Sequence, residues 1–223
     1  MLSIVGPMRL RERALVPLPP RLRTRVKRWG EARYWKKLVD DPAGGNAHFE
    51  FFFTEYFGLD RDFYEDKAIL DVGCGPRGTL EWATHARERI GADPLADEYL
   101  ALGADQQSMR YVQTEVENLP FPDDHFDVVS SFNSLDHVEN VERAVSEIGR
   151  VIRPEGTFLL LVEVGHKPTW TEPHTLAPDF HRTLDGWRVE SESLCARING
   201  MYHSLRKAQP GQDLLAARLT RIS

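Results

Sequence analysis

The turn Asp71-Val72-Gly73-Cys74-Gly75-Pro76-Arg77-Gly78 constrains the fold more than any other feature of the chain. An apolar run at 68–72 leads into it, as expected of a buried strand. The glycines allow a tight turn where a ligand can approach the main chain, at the carboxyl end of a parallel strand. Alone, a G-x-G-x-x-G spacing is a weak signal. Its context strengthens it, because strand-like and helix-like segments alternate over the next hundred residues. Strands are expected at 89–92, 110–113, 126–130 and 157–164, with helices at 79–86, 96–102 and 141–152. That alternation implies a parallel sheet covered by helices on both faces. Two later strands, 187–192 and 214–220, are expected to be joined by a loop and to pair antiparallel at one edge.

Upstream, 31–40 and 47–57 read as helices broken by Asp41-Pro42 and Gly44-Gly45. The chain divides into a basic arm with a helical cap at 1–60 and an α/β domain at 61–223. Residues 1–40 hold eleven Lys and Arg against three acids, although the whole chain of 223 residues is at −6. This arm reads first as a solvated face and second as an electrostatic contact for nucleic acid, anionic lipid or a phosphorylated substrate. It lacks the apolar centre of a signal peptide, and no run approaches the roughly 18 apolar residues of a membrane span. Cys74 and Cys195 are too few for a disulfide framework or a thiolate zinc site. A cytoplasmic location is the expectation, with a homodimer left open.

Three successive strand ends carry acids. Asp71 precedes the first glycine, where a dinucleotide fold usually keeps an apolar residue; its carboxylate suits an ammonium group and repels a pyrophosphate. Pro76 removes an N–H that an anion cradle would use. Asp93, followed by Pro94 and Leu95, ends the second strand and is placed to accept hydrogen bonds from ribose hydroxyls. Glu115, with Glu117 as an equal competitor, follows the third and could accept from an exocyclic amine. An ammonium, a ribose, an adenine amine and no phosphate describe S-adenosylmethionine.

With these segments in order, the chain resembles the class I S-adenosylmethionine-dependent methyltransferases. The resemblance rests on Ile69-Leu70-Asp71-Val72-Gly73-Cys74-Gly75, Gly91-Ala92-Asp93-Pro94-Leu95, the run from Leu119-Pro120-Phe121-Pro122 to Asp127-Val128-Val129, and Glu147 through Gly156. It covers about residues 65–165 and implies a Rossmann-like, seven-stranded, mostly parallel sheet whose last strand is antiparallel. It also implies that Asp71, Gly73, Cys74 and Gly75 line the methionine end of the cofactor. Asp93, Pro94 and Leu95 would hold its ribose, Glu115, Val116 and Glu117 would border its adenine, and Asn133 would lie nearby. Glu115 and Glu155 stand where relatives have Asp and Gly.

Methyl transfer to an alcohol needs a base or a metal ion, because the hydroxyl pKa lies far above 7. The fourth strand runs into Ser130-Ser131-Phe132-Asn133-Ser134-Leu135-Asp136-His137. His137 is the candidate general base and Asp136 a catalytic or metal-binding partner. After the fifth strand, Glu163 and Trp170 are candidate substrate contacts, and Glu172 and His174 could join Asp136 around Mg²⁺. No rigid Pro-Pro-aromatic segment follows the fourth strand to stack a flipped base, so nucleic acid is not the expected acceptor. The Asn133–His137 and Thr171–His174 segments look similar to bacterial sugar O-methyltransferases, including those acting on the 1-hydroxyl of 3-O-methylated mannosides. A small polar or oligosaccharide acceptor is therefore expected. An RNA or protein methyltransferase, a non-catalytic cofactor-binding protein and a nicotinamide oxidoreductase remain alternatives.

Overall fold

The computed structural model describes residues 30, 33, 35, 46–169 and 171–222. Most of the basic arm, and Trp170, lie outside the described residues. Seven strands form one sheet: β1 (Ala68–Val72), β2 (Glu88–Asp93), β3 (Arg110–Gln113), β4 (Phe126–Phe132), β5 (Ile152–Glu163), β6 (Trp187–Cys195) and β7 (Leu214–Arg221). Their order is β3-β2-β1-β4-β5-β7-β6. The first five run parallel, and β7 enters antiparallel between β5 and β6. This is the mostly parallel, Rossmann-like sheet expected.

Strand order reverses between β1 and β4. In open α/β sheets a ligand crevice forms at that point, outside the carboxyl ends of the strands. The glycine loop leaves β1 there, and the Asn133–His137 segment leaves β4 beside it.

β1 and β4 are buried throughout, so they do not alternate between apolar and exposed polar positions; Asp71, Asp127, Ser130 and Ser131 are buried within them. Their side chains still divide by face. Ile69, Val128, Leu159 and Leu161 pack on one side with α1 (Phe49–Phe53) and the sulfur of Cys74. Leu70, Val129, Phe158 and Leu160 pack on the other with Ala144, Val145, Ile148 and Val151 of α3 (Val141–Val151). Phe52 and Phe53 are fully buried, so residues 49–57 complete one side of the core. Helix α2 (Ala96–Ala101) follows β2.

Two elements differ from the sequence reading. Residues 79–86 form successive turns, closed by Glu81 N–H to Gly78 O and Ala83 N–H to Leu80 O at 3.1 Å each, and not a helix. Polar groups compete for this backbone: the Thr79 hydroxyl donates to Asp71, and Arg89 donates to the Leu80 and Glu81 carbonyls. The connection from β6 to β7 contains a short helix, α4 (Met201–Lys207), where a loop was expected. Glu155 takes φ +60°, the conformation that explains why glycine is the familiar residue there. Among the described residues no helix is long and apolar enough to cross a membrane.

Candidate active site

The glycine loop is held by side chains from three strand ends. Asp71 is buried, and its carboxylate accepts the hydroxyls of Thr79 and Ser130, both at 2.6 Å. Burial pushes its pKa up to about 6, against the pull of those two hydrogen bonds. The same bonds tie β1, β4 and the loop together. Asp71 thus braces the loop, and direct contact with an ammonium group, as expected from sequence, would compete with both hydroxyls.

Asp93 is buried at the end of β2. Its Oδ2 accepts the Gly75 N–H at 3.1 Å and its Oδ1 the Leu95 N–H at 2.9 Å. Desolvation raises its pKa to about 6. Tyr99 adds a third hydrogen bond, and since a carboxylate has about four lone-pair positions, room is left for one ribose hydroxyl.

Gly73 sits at φ +71°, and a Cβ on it would stand 2.2 Å from the Ser134 Cβ. The loop therefore passes against the segment after β4, where Ser134 donates to the Val72 carbonyl at 2.9 Å. Gly75, at φ +61°, faces the Trp35 ring. Backbone in these conformations, without a following helix, suits a cofactor that brings no phosphate to be met by a helix N-terminus. The residues present fit S-adenosylmethionine.

Other expected cofactor contacts divide. Glu115 is exposed ahead of a 3-10 turn at Val116–Asn118. Glu117 is committed elsewhere, since its Oε1 accepts the N–H groups of Glu139 and Asn140 at 2.8 and 3.1 Å. Cys74 contributes backbone only: its sulfur is buried where a Cβ on Gly91 would stand. Asn133 is exposed in the left-handed region, with its N–H on the Leu161 carbonyl at 2.7 Å. Pro94 and Leu95 carry the chain from Asp93 into α2.

Ser134 leads into the 3-10 turn Leu135–His137. His137 Nε2 lies 4.0 Å from Asp136 Oδ1 and 3.8 Å from Glu172 Oε1. Asp136 is 0% exposed, and burial with Glu172 nearby raises its pKa to about 7. Of the metal set expected from sequence, Asp136 and Glu172 come together with the candidate base His137, but His174 does not. Its Nε2 bonds the Val138 and Glu139 carbonyls at 2.9 and 3.1 Å, pinning the loop after β5. His166 takes its place, with Nε2 3.6 Å from Asp136 Oδ2. Glu163 is no free substrate contact either, being buried and ion-paired with Arg197.

Residues 70–160 match the family of methyltransferase domains. That span is less than half of the chain. The uncharacterized methyltransferase YcgJ of Bacillus subtilis is 34% identical over 99 residues, covering 42% of this chain and 39% of that protein. The ubiquinone/menaquinone biosynthesis C-methyltransferase UbiE of Shewanella pealeana is 28% identical over 136 residues, covering 61% and 51%. The matched part thus spans about half or less of these curated relatives. The crystal structure of YcgJ aligns with a TM-score of 0.57 at 16% identity, covering 76% of this chain and 99% of that one, a likeness of fold.

Proposed function

We propose that the protein transfers a methyl group to a hydroxyl of a small polar acceptor, a saccharide by preference, held at the carboxyl ends of β4 and β5. S-adenosylmethionine supplies, when bound, a methyl group made electrophilic by its sulfonium sulfur. The chain's own part is to bind it through the glycine loop and Asp93, and to draw the proton from the acceptor. The observation that carries this reading is the contact of Gly73 with Ser134, which joins the glycine loop to the turn bearing Asp136 and His137. An imidazolium formed at His137 would face two carboxylates within 4.0 Å. The polar group of Asp136, His137 and Glu172 suits a polyol better than an apolar ring.

The UbiE relative favours a second reading, in which the acceptor is an activated carbon and the same group removes its proton. Release of S-adenosylhomocysteine in the presence of mono- and oligosaccharides, a quinol precursor, RNA and a peptide separates the two. Turnover of a saccharide that falls at least 100-fold in His137→Ala, with cofactor affinity within about threefold of the parent, is expected from general base chemistry. Turnover of the quinol precursor alone would move the assignment to carbon. Methylation of RNA or peptide alone would overturn both.

A further inference from the structure

Asp136 is a buried carboxyl without the partners that burial normally demands. It is fully buried at the end of β4, and neither carboxylate oxygen has a side-chain hydrogen-bond partner. Charged groups removed from water are ordinarily paired, hydrogen-bonded or bound to a metal. What faces Asp136 is a set of groups with lone pairs. The ligand atoms of Asp136, His137 and Glu172 all lie within 4.8 Å of one another. On the other side stands His166, whose buried Nε2 is also without a hydrogen-bond partner.

The orientation of His166 is informative. Its Nδ1 lies 3.0 Å from the Lys167 carbonyl, which can only accept, so Nδ1 carries the proton. In the neutral ring the lone pair is then on Nε2, pointing toward Asp136 Oδ2 at 3.6 Å. That distance is too long for a hydrogen bond. A backbone carbonyl on one ring nitrogen, with the other free, is the usual arrangement of a metal-binding histidine. Two ligand atoms about 2.1 Å from one tetrahedral ion sit about 3.4 Å apart. The separations of 3.8 and 4.0 Å within Asp136, His137 and Glu172 need only a small inward movement of the side chains, and His166, 3.6 Å from the other Asp136 oxygen, must turn toward them to join.

We propose that Asp136, His137, Glu172 and His166 bind one divalent first-row transition-metal ion beside the methyl-transfer site. Two imidazoles with two carboxylates suit Mn²⁺, Fe²⁺, Co²⁺ or Zn²⁺ better than the all-oxygen preference of Mg²⁺. This inference rests on the proposed transfer to a hydroxyl only for its purpose. An ion held there would lower the pKa of an acceptor hydroxyl bound to it, so that the proton passes to water and His137 serves as a ligand in place of the base of the proposed function.

The full chain, stripped with chelator and dialysed against Mn²⁺ or Co²⁺, tests the site by metal analysis and by the Co²⁺ visible spectrum, with no acceptor required. One ion per chain, with intense absorption of low-coordinate Co²⁺ bearing nitrogen ligands, is expected. Glu172→Gln should weaken Co²⁺ at least tenfold, and His166→Ala about 10- to 100-fold, each with a far-ultraviolet spectrum like the parent. Asp136→Asn should abolish binding; if it does not fold, the other two variants carry the test. A parent chain without stoichiometric metal, or variants that bind as the parent does, would overturn the site. A site that fills while no hydroxyl acceptor turns over leaves the metal standing and removes the proposed acceptor. Saccharide turnover undiminished in chelator and dependent on His137 does the reverse.

Discussion

Asp93 Oδ2 accepts the Gly75 N–H at 3.1 Å, so the acid at the end of β2 and the glycine loop after β1 form one structure. A residue read from sequence as a ligand contact also shapes the loop that holds the ligand. This part of the proposed cofactor site is built before a cofactor arrives, which reduces the ordering cost of binding.

Asp93→Ala should therefore act twice. It leaves the buried N–H groups of Gly75 and Leu95 without an acceptor, costing about 1–3 kcal/mol of stability. Cofactor affinity should fall at least tenfold. Urea denaturation and calorimetric titration with S-adenosylmethionine separate the two effects. Parent-like affinity in a stable variant would remove Asp93 from the cofactor site.

Gly73→Ala is expected to destabilise by about 1–3 kcal/mol, through a left-handed φ and the collision with Ser134. Adding Ser134→Gly should recover the steric part but not the conformational part, roughly 1 kcal/mol. If the double variant is no more stable than the single one, packing of the two turns is not what fixes Gly73.

The strands were legible because a buried parallel strand is a short, mostly apolar run bounded by turn residues: Ala68–Val72 runs into Gly73, and Phe126–Phe132, though it holds Asp127, Ser130 and Ser131, is introduced by Pro122-Asp123-Asp124. The 79–86 helix was not, because residues outside the segment hold it in turns: Arg89 donates to the Leu80 and Glu81 carbonyls, and the Glu81 side chain accepts the N–H groups of Ser108 and Met109. Helix α4 was missed because its apolar residues Met201, Tyr202 and Leu205 fill less than two turns. In the site, Asp136 and His137 are sequence neighbours on one turn, so their pairing was readable. His166 and His174 offer the same chemistry on the same loop, and only the path of that loop decides between them. Arg150 gave no signal either, yet its guanidinium bonds Glu147, Asp123 and the carbonyls of Leu119 and Phe121, holding the approach to β4.

Stability should fall as pH rises from about 5 to about 8, measured in chelator. Burial lifts Asp71 and Asp93 to about 6 and Asp136 to about 7, all above the ordinary 3.8. In that interval the native state keeps protons that the unfolded chain has lost, so raising pH favours unfolding. Glu192, held at about 2 by Arg182 and His181, acts in the opposite sense but at lower pH. Urea midpoints at the two pH values should differ less in Asp136→Asn than in the parent. An unchanged difference would show that Asp136 titrates alike in both states.

Trp35 offers a direct reading of the cofactor site. Its ring lies 3.3 Å from where a Cβ on Gly75 would stand, and meets Tyr99 edge-on with centroids 6.3 Å apart. Tyr99 in turn hydrogen-bonds Asp93. The indole thus spans the loop and the ribose acid, and a ligand entering there must change its surroundings. Of the five tryptophans, Trp35 should give most of the fluorescence change on titration with S-adenosylmethionine. Trp35→Phe should remove that change and weaken binding roughly 2- to 10-fold, the equivalent of one aromatic contact. A full fluorescence response in Trp35→Phe would mean that the ligand binds away from the Gly75 loop.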